Sequence, residues 1–330
     1  MKRSLEFPLY GGLLVLVALL PWLGAYPVFV MKVMCYALFA CAFNLLIGFT
    51  GLLSFGHAAF LGGAAYATGH ALKFWGLPTE LGLLLGVVTG GLLGFVMGSL
   101  AIRRSGIYFS MITLALAQMV FFFCLQAPFT HGEDGIQSVP HGKFLGFLDL
   151  ANTLVLYYVV LAIFTAGFLL IYRIIHSPFG QVLKAIRENE PRATSLGYDT
   201  ARFKLLAFVL SAALAGLAGS TKTLVLGFAT LSDAHWSTSG LVILMVLVGG
   251  MGTMLGPILG AFIIVTLENK VGDFGAFLGR VTGIDWFNGL GEAVTVVTGL
   301  IFVICVMAFR RGLVGEFIAW WNRRRAQPAA

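Results

Sequence analysis

Long apolar runs separated by short polar intervals dominate this chain. Runs with almost no charge cover residues 9–23, 28–48, 53–72, 81–102, 107–127 and 154–175. After a polar interval come 205–228, 237–250, 254–268 and 293–309. An apolar run of about 18 residues or more can cross a bilayer as a helix. The runs 237–250 and 254–268 are short for that purpose at a rise of about 1.5 Å per residue. The pattern predicts an all-α polytopic membrane protein, one transmembrane domain over residues 1–330, with about ten crossings, some short or broken. The first run has a basic start, but Pro21-Trp22 follows where a small-residue cleavage site would fall, so it reads as an uncleaved first span.

Composition agrees: 59% of residues are hydrophobic and 11% charged, against about 25% charged in soluble domains. The net charge of +7 then reports topology rather than nucleic-acid binding, because basic residues sit in the loops beside the spans. Lys2-Arg3, Arg103-Arg104, the interval 176–204, and the tail 310–330 with Arg310-Arg311 and Arg323-Arg324-Arg325 are all expected on the cytoplasmic side. Counting from a cytoplasmic N-terminus satisfies the first three. The C-terminus also lands inside only if residues 237–268 cross twice, turning at Gly249-Gly250-Met251-Gly252. The outside loops are then 128–152, the region of Ser232-Asp233-Ala234-His235, and 269–291. The first holds His131, Glu133, Asp134 and His141 without a ligand-like spacing, so it is expected to be a solvated loop facing a soluble partner, with no metal site. Cys35, Cys41, Cys124 and Cys305 lie inside apolar runs and suggest no disulfide framework.

The interval 177–204 carries eight of the chain's 35 charged residues: Lys184, Arg187, Glu188, Glu190, Arg192, Asp199, Arg202 and Lys204. Ser177 is a candidate N-cap and Pro178 suits the first helical position. Phe179, Val182, Leu183 and Ile186 recur at helical spacing, opposite Gln181, Lys184, Arg187 and Glu188. Pro191 breaks that helix and starts a second short one; Gly197 ends it, and Asp199 can cap the next segment. The apolar face of the first helix needs a partner, expected to be another protein rather than the membrane surface.

Within the spans, residues 44–66 concentrate Gly48, Gly51, Gly56, Gly62 and Gly63 with Asn44, Thr50, Ser54 and His57. Glycine this dense lets helices approach closely or break, and a break at membrane depth must face protein or a water-filled path. Residues 249–260, with Gly250, Gly252, Gly256 and Pro257, form a second interrupted stretch. Paired interruptions in two halves of a chain point to a transport pathway. Asn44, Ser54, His57, Thr113, Gln118 and Lys222 are the candidate pathway residues. Each also has a plainer role: a bond to a neighbouring helix for His57, Thr113 and Gln118, and a snorkelling cation for Lys222, as for Lys32. No phosphate-binding loop, nucleophile elbow or zinc signature occurs, so no residue is assigned as catalytic and the chain cannot hydrolyse a nucleotide itself. Intramembrane carboxylates are lacking apart from Glu268 and Glu292 at span ends. That disfavours a stand-alone secondary transporter, and no paired carboxylates suggest a membrane-embedded enzyme.

The stretches NLLIGFTGLLSFGHAAFLGGAAY (44–66), RRSGIYFSMITLALAQ (103–118), GQVLKAIRENEPRATSLGYDTARFKLLAFVLSAALAGLAG (180–219), GGMGTMLGPILGA (249–261) and FRRGLVGE (309–316) closely resemble the permeases of branched-chain amino acid ABC importers, of the LivM rather than the LivH type. The resemblance covers about residues 30–316. It implies a bacterial inner-membrane subunit paired with a LivH-type permease, two cytoplasmic ATPases that bind ATP and Mg, and a periplasmic binding protein that delivers the cargo. It further implies that residues 179–197 are the region coupled to the ATPase. Arg187, Glu188, Glu190 and Gly197 fall on matching positions, with Phe179, Val182, Lys184 and Ile186 on the same helix. Pro191 departs from the pattern, as does Ser220-Thr221-Lys222-Thr223. The second departure leaves the cargo open, since similar permeases import urea, short amides and other amino acids.

Overall fold

A computed structural model describes residues 3–282, 296, 299, 300, 303, 307 and 312–316. The expected tenth span, the basic tail, Glu292 and residues 283–291 lie largely outside the described residues. Residues 269–282, expected in an outside loop, instead continue the helix that begins at Gly256, because no proline interrupts them. Eleven helices are described: α1 (Arg3–Leu19), α2 (Pro27–Thr50), α3 (His57–Lys73), α4 (Thr79–Ala101), α5 (Ile107–Gln126), α6 (Thr153–His176), α7 (Pro178–Glu188), α8 (Glu190–Ser195), α9 (Thr200–Leu226), α10 (Trp236–Gly249) and α11 (Gly256–Thr282). A two-residue hairpin, β1 (Lys143–Phe144) with β2 (Leu148–Asp149), is the only strand pair among the described residues. By length and composition α2, α4, α5, α6 and α9 can each cross a membrane.

The bundle is organised around α2 and α9. Both are packed by neighbours along most of their length. Helix α9 runs antiparallel to α4, as shown by Gly98 against Phe208 at one end and Gly86 against Ser220 at the other. Gly82, Gly86, Gly90, Gly94 and Gly98 recur every fourth residue along α4. A side chain on Gly90 would meet the Ala212 carbonyl and Gly216 of α9, so this is a small-residue seam that lets two backbones touch. Helix α1 runs antiparallel to α6: Tyr10 packs edge-on against Phe168 and Tyr172, and the Tyr157 hydroxyl donates to the Val17 carbonyl. These pairings put the start of α1, Arg103-Arg104 and the α7–α8 segment at the same end of the bundle.

Two non-helical segments dip into the bundle from opposite ends. Residues 51–56 do so first, so α3 begins at His57 rather than at Leu53 as the hydropathy run suggested. His57 Nε2 lies 2.9 Å from Ser211 Oγ, which in turn donates to the carbonyl of Ala42. Since Ala42 is eight residues before the end of α2, α3 starts about 12 Å inside that end. From the other end, residues 227–235 descend to α10, and Ala234 sits against Gly62 of α3. The first turns of the two short helices then meet, where Ser239 Oγ accepts a hydrogen bond from the Ala58 N–H at 2.8 Å. Helix α3 spans about 25 Å outward from this point and α10 about 20 Å the other way, so each covers roughly half of one line through the bundle.

The loop 128–152 keeps His131, Glu133, Asp134 and His141 exposed, as expected of a solvated loop, but part of it packs into the bundle. Ile136 pairs with Ala229 as an isolated antiparallel bridge, and Val139 N–H donates to the Gly227 carbonyl at 2.8 Å. Ile136, Val139 and Leu150 are buried in the core cluster at that end. Alternation with polar residues hid them: only one apolar residue in several turns inward, so no run announces the packing.

Candidate functional site

At the α7 end, the two interrupted stretches meet. Asn44 reaches from the last third of α2 to the turn between α10 and α11. Its Nδ2 donates to the Thr253 carbonyl and its Oδ1 accepts from the Gly252 N–H, each at 2.9 Å. Gly252 takes a φ of +77°, and a side chain there would press on the Gly48 carbonyl and Arg187. Gly48 itself lies so close to Gly252 that a Cβ would overlap the turn and the Asn44 carboxamide. Thr253 completes the turn by donating to the Gly250 carbonyl at 2.8 Å and accepting from the Gly256 N–H at 3.1 Å, which caps α11. Asn44 thus satisfies one donor and one acceptor of a turn that helices alone would leave unpaired.

Helix α7 is locked onto this junction. Its predicted start holds: Ser177 Oγ accepts from the Gly180 N–H at 3.3 Å, with Pro178 in the first turn. Asn189, rather than Pro191 alone, makes the break; its side chain caps α8 by accepting from the Arg192 N–H at 3.1 Å. Gly197 takes a φ of +90° just beyond α8, and Asp199 caps α9. The apolar face of α7 does not wait for a protein partner. Gly180, Leu183 and Ile186 are buried against α2, α6 and α9, and Phe179 stacks on Phe203 at 5.6 Å. Periodicity reveals an apolar face but not what covers it, which is why the sequence pointed elsewhere. Val182 and Lys184 are half-buried, with Lys184 Nζ 5.8 Å from the centre of the Phe49 ring. Arg187 donates to the carbonyl of Gly48 at the end of α2, with its aliphatic stem over Gly51. Glu190 pairs with the buried Lys204 of α9. Outward remain Gln181, Ala185, Glu188, Arg192, Leu196 and Tyr198.

At mid-depth, the break before α3 is satisfied by side chains. Thr113 Oγ1 accepts from the Phe55 N–H at 3.2 Å, Ser54 Oγ from Gly56 N–H at 3.1 Å, and Ser110 donates to the Leu53 carbonyl at 2.7 Å. His57 is fully buried, with Phe43, Phe60 and Phe208 edge-on to its ring at 4.8–6.0 Å. Because Ser211 donates onward to Ala42, its oxygen receives the His57 Nε2–H, which sets the tautomer. Ser54, His57 and Thr113 therefore hold a broken backbone together. Gln118 faces away from them on α5, half-buried, with no hydrogen-bond partner among the described residues.

At the end opposite α7, a cavity of about 700 Å³ opens between α2, α9, α10 and α11. Lys222 does not snorkel from it toward water. It is buried, paired with the equally buried Asp233, and 5.8 Å from the centre of the Tyr36 ring. Asp233 sits on the segment that dips between α9 and α10, a placement that no local pattern around Lys222 announces. Lys32 and Glu268 line the same cavity. Among the described residues, no group of three or more His, Cys, Asp or Glu gathers as a metal site.

A helical bundle with five helices long and apolar enough to cross a membrane, two broken segments clamped at one end and a charged cavity at the other has the build of a multi-pass membrane protein. Residues 28–308 match the family described as branched-chain amino acid transport system / permease component. The chain is 28% identical over 296 residues to the high-affinity branched-chain amino acid transport system permease protein LivM of Escherichia coli (strain K12), covering 80% of this chain and 69% of that protein. It is 28% identical over 267 residues to the LivM protein of Salmonella typhimurium, covering 74% of this chain and 63% of the relative. A ribose import permease protein, RbsC of Bacillus subtilis (strain 168), is 29% identical over 209 residues, 59% of this chain and 58% of its own length. No solved structure matches. The chain belongs to the family of branched-chain amino acid transport permease components, and within it to the LivM type.

Proposed function

We propose that this chain is one of two membrane-spanning subunits of an ATP-driven importer in the bacterial inner membrane, carrying leucine, isoleucine, valine or a related amino acid. The observation that carries the reading is the LivM likeness over 80% of the chain. A LivH-type permease completes the membrane part in this reading. Two ATPases bind ATP and Mg on the cytoplasmic side, and a periplasmic binding protein delivers the cargo. The end that holds α7, Arg103-Arg104 and the start of α1 is the more basic one, which supports its cytoplasmic placement.

In this reading the ATPase grips the outward side of α7–α8, where Glu188, Arg192, Leu196 and Tyr198 are exposed. Movement of α7 passes through Arg187 to the end of α2, and through Asn44 to the α10–α11 turn, so that one displacement reaches both interrupted segments and access alternates between the two sides. The carboxamide and guanidinium contacts supply that linkage without any chemistry in this chain.

The test is uptake by the importer purified with its partner subunits in proteoliposomes. ATP-dependent entry of labelled leucine that requires the binding protein is the expected result. Entry of ribose, urea or a short amide in place of every amino acid would move the cargo to the second reading, which the ribose permease likeness favours over a shorter stretch. Uptake driven by a proton or sodium gradient without ATP would overturn the importer assignment.

A further inference from the structure

The cavity at the end opposite α7 contains four charged side chains, and they are not equivalent. Lys222 and Asp233 satisfy each other. Asp233 also accepts from the Thr230 N–H at 3.4 Å, and Lys222 has the Tyr36 ring at its side. That pair closes the segment that dips between α9 and α10 and offers little to a ligand. Lys32 on α2 and Glu268 on α11 differ. Both are half-buried and line the cavity. Yet neither has a hydrogen bond or an ion pair within 4.0 Å among the described residues. A cation and an anion held apart at the wall of one cavity attract a ligand that carries both signs. Around them, Leu226, Leu241, Leu244 and Trp236 supply an apolar lining, and the volume lies within the range of about 300–1,000 Å³ usual for small-molecule sites.

We propose that this cavity is a binding station for a zwitterionic amino acid with an aliphatic side chain, in which Lys32 holds the carboxylate and Glu268 the ammonium group. The inference rests on the amino acid reading above and adds a place and two recognising residues to it. A sugar or a neutral amide has no charge to offer either residue, so the same pair of side chains discriminates among the cargoes that resemblance alone leaves open. Lys222–Asp233 acts as a fixed wall of the site rather than as a contact.

The experiment is equilibrium binding of tritiated leucine to the purified full chain in lipid nanodiscs, with three competitors: 4-methylpentanoate, which lacks the ammonium, 3-methylbutylamine, which lacks the carboxylate, and ribose. Unlabelled leucine displaces the label. Both single-charge analogues compete about tenfold or more weakly, the loss expected when one charge-assisted contact is removed, and ribose does not compete. Lys32→Met and Glu268→Gln each weaken leucine binding by a similar factor, while Lys32→Arg retains it; an unchanged size-exclusion profile shows that the variants fold. Equal competition by the single-charge analogues, unaltered binding in both variants, or no saturable leucine binding by the wild-type chain overturns the proposal. In the assembled importer, leucine uptake at an unchanged rate with saturating leucine-loaded binding protein in both variants removes the station but leaves the importer standing. Uptake of ribose and of no amino acid removes the importer's amino acid assignment instead.

Discussion

Helices α2 and α5 are matched in mean hydropathy, yet 89% of the most apolar stretch of α2 is buried inside the chain and only 22% of that of α5. In water such a difference would be paradoxical. In a bilayer it is not, because lipid tails are as apolar as a protein core and give greasy residues no reason to prefer one over the other. What separates the two helices is their small and polar residues. Helix α2 brings Ala37, Ala40, Ala42, Asn44 and Gly48 inward, where they allow close approach or bond to another segment. Helix α5 turns Met111, Met119, Phe122 and Phe123 outward and commits Ser110 and Thr113 to the break before α3. Hydropathy finds the spans; polar and small residues decide which become the core.

The comparison can be pressed hardest at the α4–α9 seam, which follows the same rule as α2. Gly90→Leu should prevent those two backbones from closing and abolish monodisperse protein on size exclusion, whereas Met111→Leu on the outer face of α5 should change stability in detergent by no more than ~0.5 kcal/mol. Next in size is Asn44→Ala, which leaves the Gly252 N–H and the Thr253 carbonyl without their partner. A loss of about 2–4 kcal/mol in stability, read by thermal unfolding in nanodiscs, is expected from two unpaired polar groups. Arg187→Met removes one bond at the half-exposed junction and should cost about 1 kcal/mol or less of stability. Its larger effect is on coupling: in the proposed importer, ATP hydrolysed per leucine carried should rise. The smallest effect is Gln118→Leu. If the outer face of α5 meets only lipid, this substitution raises the melting temperature slightly, as removal of an unpaired amide from hydrocarbon should. A fall in the yield of the two-permease complex, with the isolated chain unharmed, would instead place α5 against the partner subunit.

Much of this architecture is legible in the sequence. The apolar runs that correspond to α2, α4, α5 and α6 agree with those helices to within two residues, α1 and α9 begin six and five residues before their runs, and the caps at Ser177 and Asp199 fall where expected, because both signals are local. The break near Gly51 and the turn at Gly250–Gly252 are legible for the same reason. What covers the apolar face of α7 is not, since a helical period names a face and never its neighbour. The Lys222–Asp233 pair is hidden because it depends on a loop dipping inward. Local spacing also cannot show that Arg187 turns back onto Gly48. The every-fourth glycines of α4 are in plain view, and their period is the signal that places α4 beside a closely packed partner.

A single long rod through the bilayer transmits tilt from one face to the other. Along the line shared by α3 and α10 there is no such rod, only two stubs whose starts are tied by the hydroxyl of Ser239 and the amide of Ala58. In the importer proposed above, this discontinuity is the place where the two stubs would lean independently, so that one face widens while the opposite face stays shut.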